Sequence, residues 1–166
     1  MAKKSTGRGG SGTPATVALD RAGVAYALLP YHHDPDNRHF GEEAAAALGV
    51  APERVFKTLL VDCSGEVVVA VVPVAGMLDL KALAETVGAK KAVLVEPAVA
   101  ERITGMVVGG ISPLGQKRAL RTVVDADAEA FDTICVSAGR RGLQLELGPH
   151  DLVALTGASV ARIARG

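Results

Sequence analysis

Two runs decide the fold: VFKTLLVD at residues 55–62 and EVVVAVVP at residues 66–73, separated by Cys63-Ser64-Gly65. Both are β-branched runs of strand length, and a short glycine-containing break between them signals a hairpin. Side chains alternate across a strand, so Val55, Lys57, Leu59 and Val61 share one side. Three of those four are apolar, which sets Lys57 towards a core or a lined pocket. An ammonium in such a place is costly unless it is paired, and lysines kept there usually have a task. The plain alternative is a lysine at a strand end, whose stem packs while its head reaches water.

Working outward, Thr13 is suited to cap a helix that Pro14 opens and Gly23 closes. Val24 to Tyr31 reads as a strand, His32 to Gly41 as a polar loop, and Glu42 to Leu48 as a short helix stopped by Gly49. Beyond the hairpin, Asp79 caps a helix over residues 80–87 that Gly88 ends. Ala92 to Val95 is a short strand, and Pro97 starts a helix running to about Ile103. Thr104 to Gln116 is a Gly-rich loop. Arg121 to Asp125, Thr133 to Ser137 and Leu143 to Leu147 read as strands, the last two joined by Gly139-Arg140-Arg141-Gly142. A helix from Pro149 to Gly157 precedes a final strand through Ile163. The pattern predicts an α+β domain over residues 13–166 with a mixed, mostly antiparallel sheet. Residues 1–12, rich in Lys, Ser and Gly, read as a flexible, mildly basic leader without the apolar core of a signal peptide.

Composition narrows the function. At 166 residues the chain can bury a real core, and 49% hydrophobic residues fit a folded domain. Aromatic residues are only 3% with no Trp, which argues against a base-stacking platform. Eighteen basic residues balance 18 acidic ones, so nucleic acid is not gripped by bulk charge, although a local basic patch remains open. Two cysteines without CxxC or zinc spacing fit a reducing cytosol. No apolar run approaches a membrane span.

Several motifs invite chemistry. Gly109-Gly110-Ile111-Ser112-Pro113-Leu114-Gly115-Gln116-Lys117 is nearly a phosphate loop. However, Gln116 holds the lysine position, no Ser or Thr follows Lys117, and Pro113 removes an amide donor. The residues leave two readings open: a plain turn, or a backbone that a ligand approaches closely, with free N–H groups facing an ester carbonyl. Arg140 and Arg141 in a Gly-flanked turn suit phosphate contact or merely keep a hairpin tip soluble. Ser137 lacks the G-x-S-x-G context of a nucleophile elbow. His32, His33, Asp34 and His39 have no metal-ligand spacing, and no metal or cofactor is expected. Cys63 and Cys135 have no recognisable partner for nucleophilic work.

Taken in order, Val55-Phe56-Lys57-Thr58-Leu59, Val71-Val72-Pro73-Val74 with Leu78-Asp79-Leu80-Lys81, Gly109 to Gln116 and Ser137 to Leu143 resemble the YbaK/EbsC family. Its relatives include the editing domain of bacterial prolyl-tRNA synthetase, and the resemblance runs from about Thr13 to Ile163. It implies a compact, barrel-like mixed sheet flanked by helices, with a pocket between sheet and Gly-rich loop. It further implies a cytoplasmic trans-editing deacylase that removes cysteine from Cys-tRNA(Pro). The expected partners are the acceptor end of mischarged tRNA and prolyl-tRNA synthetase, not DNA or membrane.

Position by position, the resemblance makes Lys57 the essential lysine that holds the terminal adenosine, phosphate or ester region. Gly109 and Gly110 would let the ester approach the backbone. Tyr31 and Ser137 match pocket-lining positions, and Ser112, Pro113 and Arg140 fall in the motifs expected to contact substrate. In the family the substrate's own thiol is thought to attack the ester and leave as a cyclic thiolactone. Gln144 is a departure, since some members carry an acidic residue there; Glu146 shares its face and is the nearest substitute. A deacylase for Ala- or Ser-charged tRNA, a non-catalytic tRNA- or nucleotide-binding module, and a partner-binding protein remain as alternatives.

Overall fold

The structure is a computed structural model and describes residues 3–5 and 12–166. In chain order, strand β1 spans Lys3–Ser5, helix α1 Pro14–Ala22, β2 Tyr26–Pro30, α2 Phe40–Leu48, β3 Phe56–Cys63 and β4 Glu66–Pro73. There follow β5 Met77–Leu78, α3 Leu80–Val87, β6 Ala92–Leu94, α4 Pro97–Thr104 and β7 Arg121–Asp125. The chain closes with β8 Ile134–Arg140, β9 Leu143–Leu147, α5 Pro149–Thr156, β10 Ser159–Ala161 and β11 Ala164–Arg165. Of the expected leader, Lys3–Ser5 pairs antiparallel with β2, and the rest of that expectation lies outside the described residues.

The strands form a four-stranded sheet, β1-β2-β9-β8, a five-stranded sheet, β10-β7-β4-β3-β6, and a small β11-β5 pair. A parallel bridge between Val55 and Cys135 joins the two large sheets where β3 begins. The β3–β4 hairpin runs in register from Phe56↔Pro73 to Cys63↔Glu66. Most pairings are antiparallel, but β4–β7 and β7–β10 are parallel, as the mixed α+β expectation allows.

Strand β4 shows why its sequence is apolar throughout rather than alternating. Val69 and Val71 enter the main core with Leu19, Phe56, Val124, Leu145 and Leu152. Val68, Ala70 and Val72 enter a second cluster beneath α3, against Leu83 and Ile163. A central strand covered on both faces buries its side chains from Val68 to Pro73, each worth about 1.5–3 kcal/mol for a valine-sized group.

Helix boundaries follow local chemistry. Thr13 and Thr16 form a reciprocal capping box at α1, with Pro14 in the first turn. The Asp79 side chain accepts from the Ala82 N–H and opens α3. The β8–β9 turn is tighter than expected: β8 continues through Arg140, with an irregular register between Ser137 and Arg140. Two short 3-10 turns, Pro52–Arg54 and Ala126–Ala130, were not expected.

Candidate functional site

Beyond the Val55–Cys135 bridge, β3 and β8 diverge, and a cavity of about 350 Å³ opens between them. One wall is β3 from Phe56 to Leu60; another is the end of β6 and the start of α4, with Val95, Pro97 and Ala100. The Gly-rich loop contributes Val108, Gly109 and Ile111, and the second sheet contributes Ser137 and Gln144. Arg38, His39 and Glu42 stand at the mouth.

The interior is apolar with a few placed polar groups, the usual make-up of a small-ligand site. Lys57 is half-buried and lines the cavity, and its ammonium makes no hydrogen bond or ion pair among the described residues. Glu42, exposed at the mouth, is the one carboxylate on the lining. Two lining side chains carry buried oxygens without a partner among the described residues: Thr58 Oγ1 and Gln144 Oε1. Gln144 is 6% exposed. Orphaned buried polar atoms are rare in folded proteins, and both of these belong to residues on one cavity lining.

The mouth is organised around Phe40. The Arg141 guanidinium lies 4.8 Å from the Phe40 ring centroid, and Arg141 Nε donates to the Val108 carbonyl at 2.8 Å. The His33 ring is tilted against Phe40 at 5.7 Å between centroids. His33 Nδ1 is 2.6 Å from Glu43 Oε1, and the Asp34 N–H donates to the other Glu43 oxygen. Burial raises the Glu43 pKa, but the His33 and Asp34 contacts outweigh it and hold the carboxyl below its ordinary value. His33 is thus engaged in orienting the mouth, and no group of three His, Cys, Asp or Glu suited to a metal occurs among the described residues.

Of the residues singled out from sequence, His39, Lys57, Gly109, Ser137 and Gln144 meet at this cavity. Ser137 Oγ accepts from the Gly139 N–H at 3.1 Å. The others are set back from the lining, each for a visible reason. The Gly110 N–H donates to the Val107 carbonyl at 2.8 Å, so that amide is not free for an ester. A Cβ on Gly110 would lie 2.6–2.7 Å from the Arg140–Arg141 backbone; the glycine permits loop and hairpin to touch. Ser112 is fully buried, donating its N–H to the Met106 sulfur and accepting from the Leu114 N–H. Pro113 is buried beside a separate cleft. Tyr31 is tied to the β8–β9 turn through its N–H to the Gly142 carbonyl, and burial, then the Glu43 charge, pushes its phenol pKa up. Arg140 is exposed off the lining, while Arg141 is spent on Phe40 and Val108.

Glu146 does not replace a carboxylate at Gln144. It accepts from Arg54 at 2.8 Å and Thr133 at 2.6 Å, away from the cavity. Sequence reasoning missed Thr58, Phe40 and Arg38. The available signal for Thr58 was a hydroxyl between the apolar Phe56 and Leu60 on one face of β3.

The family described as the aminoacyl-tRNA editing domain matches residues 35–155, which include β3, the Gly-rich loop and the β8–β9 hairpin. The chain therefore belongs to that family, and its activity in broad terms is aminoacyl-tRNA editing by deacylation. EbsC of Enterococcus faecalis, provisionally named a Cys-tRNA(Pro)/Cys-tRNA(Cys) deacylase, is 37% identical over 164 residues, covering 98% of each chain. The uncharacterised YwhH of Bacillus subtilis is 30% identical over 112 residues, 67% of this chain and 71% of that one. A solved structure described as the hypothetical protein APE2540 is 28% identical, with a TM-score of 0.82 over 92% of this chain and 100% of that one. Another, described as a provisional trans-editing enzyme for prolyl tRNA synthetase, is 24% identical with a TM-score of 0.80, over 92% and 96%, and speaks to the fold. The YbaK/EbsC resemblance holds on these grounds.

Proposed function

We infer that the protein removes cysteine from Cys-tRNA(Pro), taking the aminoacylated 3′ end into the cavity between β3 and β8. The observation that carries this is Lys57, a cation without a partner among the described residues in a largely apolar cavity, in a chain of the editing family. An ammonium there attracts the phosphate or developing oxyanion of the acceptor end, and low polarity strengthens that attraction. The likeness to EbsC supports cysteine as the amino acid. Residues 13–166 form the editing domain in this reading, and prolyl-tRNA synthetase is the partner that supplies the mischarged tRNA.

The bond broken is the ester between the amino acid carbonyl and the terminal ribose. The substrate thiol loses its proton and its sulfur bonds to the carbonyl carbon. The tetrahedral intermediate then collapses, expelling the ribose oxygen, which takes up a proton; the products are a cyclic thiolactone and uncharged tRNA. Two features support this route. Neither cysteine lines the cavity, and the lining serine, Ser137, is oriented by the Gly139 N–H without a histidine bonded to it among the described residues.

The deciding experiment follows labelled amino acid released from Cys-tRNA(Pro) and Ala-tRNA(Pro) by the wild type and Lys57→Ala. Expected is release of cysteine and a loss in the variant of at least about a hundredfold, the scale for removing one electrostatic contact to the reacting centre. Alanine release would change the substrate but keep the enzyme. Salt-sensitive tRNA binding without release of either would favour a binding module, a reading that Gln144 in place of an acid supports.

A further inference from the structure

In an antiparallel ladder, the N–H and C=O of one residue point to the same side, and successive residues point to opposite sides. The Val55 carbonyl accepts from the Val74 N–H at 2.8 Å, so the odd-numbered residues of β3 face β4. The Leu60 carbonyl accepts from the Val95 N–H at 3.0 Å, so the even-numbered residues face the other way, towards β6. The register between β3 and β6 runs Cys63↔Ala92, Asp62↔Val93 and Val61↔Leu94. Continued by three residues, it would set Pro97 opposite Thr58. Pro97 has no N–H to offer and is the first residue of α4, where the chain leaves the sheet. The neighbouring sheet reaches β3 only at the Val55–Cys135 bridge. Thr58 therefore turns its main-chain N–H and C=O to a side on which β3 has no ladder partner among the described residues, and Thr58 lines the cavity. Its side-chain Oγ1 is buried and likewise unpartnered among the described residues. A sheet edge left open inside a cavity is unfavourable unless something completes it.

An aminoacyl ester carries the same N–Cα–C=O unit as a residue in a strand. Two residues that form a hydrogen-bonded pair in an antiparallel ladder exchange two N–H···O bonds through that unit. The geometry points to Thr58 as the binding residue for the aminoacyl group, by main-chain pairing. The substrate's α-amino group donates to the Thr58 carbonyl, its ester carbonyl accepts from the Thr58 N–H, and the amino acid fills the place that Pro97 leaves empty. This rests on the deacylase reading and deepens it. The Gly110 N–H, already bonded to Val107, does not compete for the ester. With no carboxylate deeper than Glu42 on the lining, the amino group is received by neutral acceptors, the Thr58 carbonyl and the orphaned Gln144 Oε1. Recognition of this kind requires a free α-amino group whatever the side chain.

The test uses the full chain and two non-hydrolysable ligands, 3′-amino-3′-deoxyadenosine joined through an amide to cysteine or to 3-mercaptopropionic acid. They differ only in the α-amino group. The cysteinyl ligand is expected to bind about tenfold or more tightly, the scale for one buried hydrogen bond to a charged group, and to shift the Thr58 amide resonance in ¹⁵N spectra. Replacing the residue-58 amide by an ester, with the α-hydroxy analogue of threonine, removes the N–H while keeping the side chain and should weaken both ligands. Equal binding of the two ligands, an unmoved Thr58 amide, or undiminished binding after the ester replacement overturns the pairing. Cysteine release from Cys-tRNA(Pro), measured alongside, separates the two ideas. Release with equal ligand binding leaves the deacylase and removes the pairing; preference for the amine without release upholds the pairing and removes the deacylase.

Discussion

Gly109 and Phe40 meet more closely than any side chain on the glycine would allow. Gly109 has φ +89°, and a Cβ there would stand 2.5 Å from Phe40 Cδ1. Gly109→Ala therefore combines backbone strain with displacement of the ring that Arg141 and His33 hold. The expected result is a destabilisation of about 1–3 kcal/mol in denaturant unfolding, with weaker substrate binding because the mouth is rebuilt. Cys135 makes the opposite case, a residue with reactive chemistry and no access. Burial pushes its thiol pKa up to about 11, against a lowering by Arg54 that the Glu146 charge partly offsets. Native protein should leave Cys135 unmodified by iodoacetamide at pH 8, and unfolding should expose it; mass spectrometry of the peptide distinguishes the two states.

At the scale of elements, Glu146 ties β9 to the 3-10 turn before β3 and to the residue leading into β8. Thr133 Oγ1 donates to it, Arg54 adds a second bond, and together they outweigh burial to hold the carboxyl below its ordinary 4.5. A carboxyl depressed in the folded state contributes stability that is fully present above its unfolded pKa and lost as pH falls through the folded value. Glu146→Gln should thus lower stability by about 1 kcal/mol at neutral pH. The gap to wild type should narrow as pH falls below 4.5 and close once the native carboxyl is protonated. Thermal melts of both proteins from pH 7 to pH 3 check this.

Across the whole molecule, Asp125 joins the C-terminus to the sheet. It is 0% exposed; its Oδ1 accepts from the Ile163 and Ala164 N–H groups at 2.9 and 2.8 Å, and its Oδ2 from Asp127 at 3.0 Å. These bonds hold Ile163 in the cluster beneath α3 and set β11 against β5. Asp125→Ala leaves buried donors unanswered and should destabilise the protein by roughly 3 kcal/mol. Hydrogen exchange should locate the first loss of protection at residues 163–165 and 77–78, while the cavity, formed on other elements, keeps its cysteine deacylation below the melting temperature.

Local chemistry alone determined most elements of this chain. The β3–β4 hairpin, the Asp79 cap and Gly88 stop of α3, and Pro97 at the head of α4 depend on turn residues, capping side chains and period, all of which act between near neighbours. Lys57 was legible for the same reason, as one charge in an alternating apolar row. Only the tertiary structure decided which groups meet. It drew Gly109 to the cavity and packed Gly110, Ser112 and Pro113 away from it, although the four lie within five residues, because backbone contacts to the β8–β9 turn and a sulfur contact to Met106 intervene. It also left Thr58 without a strand on the side away from β4. That depends on where β6 ends relative to β3 and on where β8 parts from it, distances between segments that no local pattern of residues encodes.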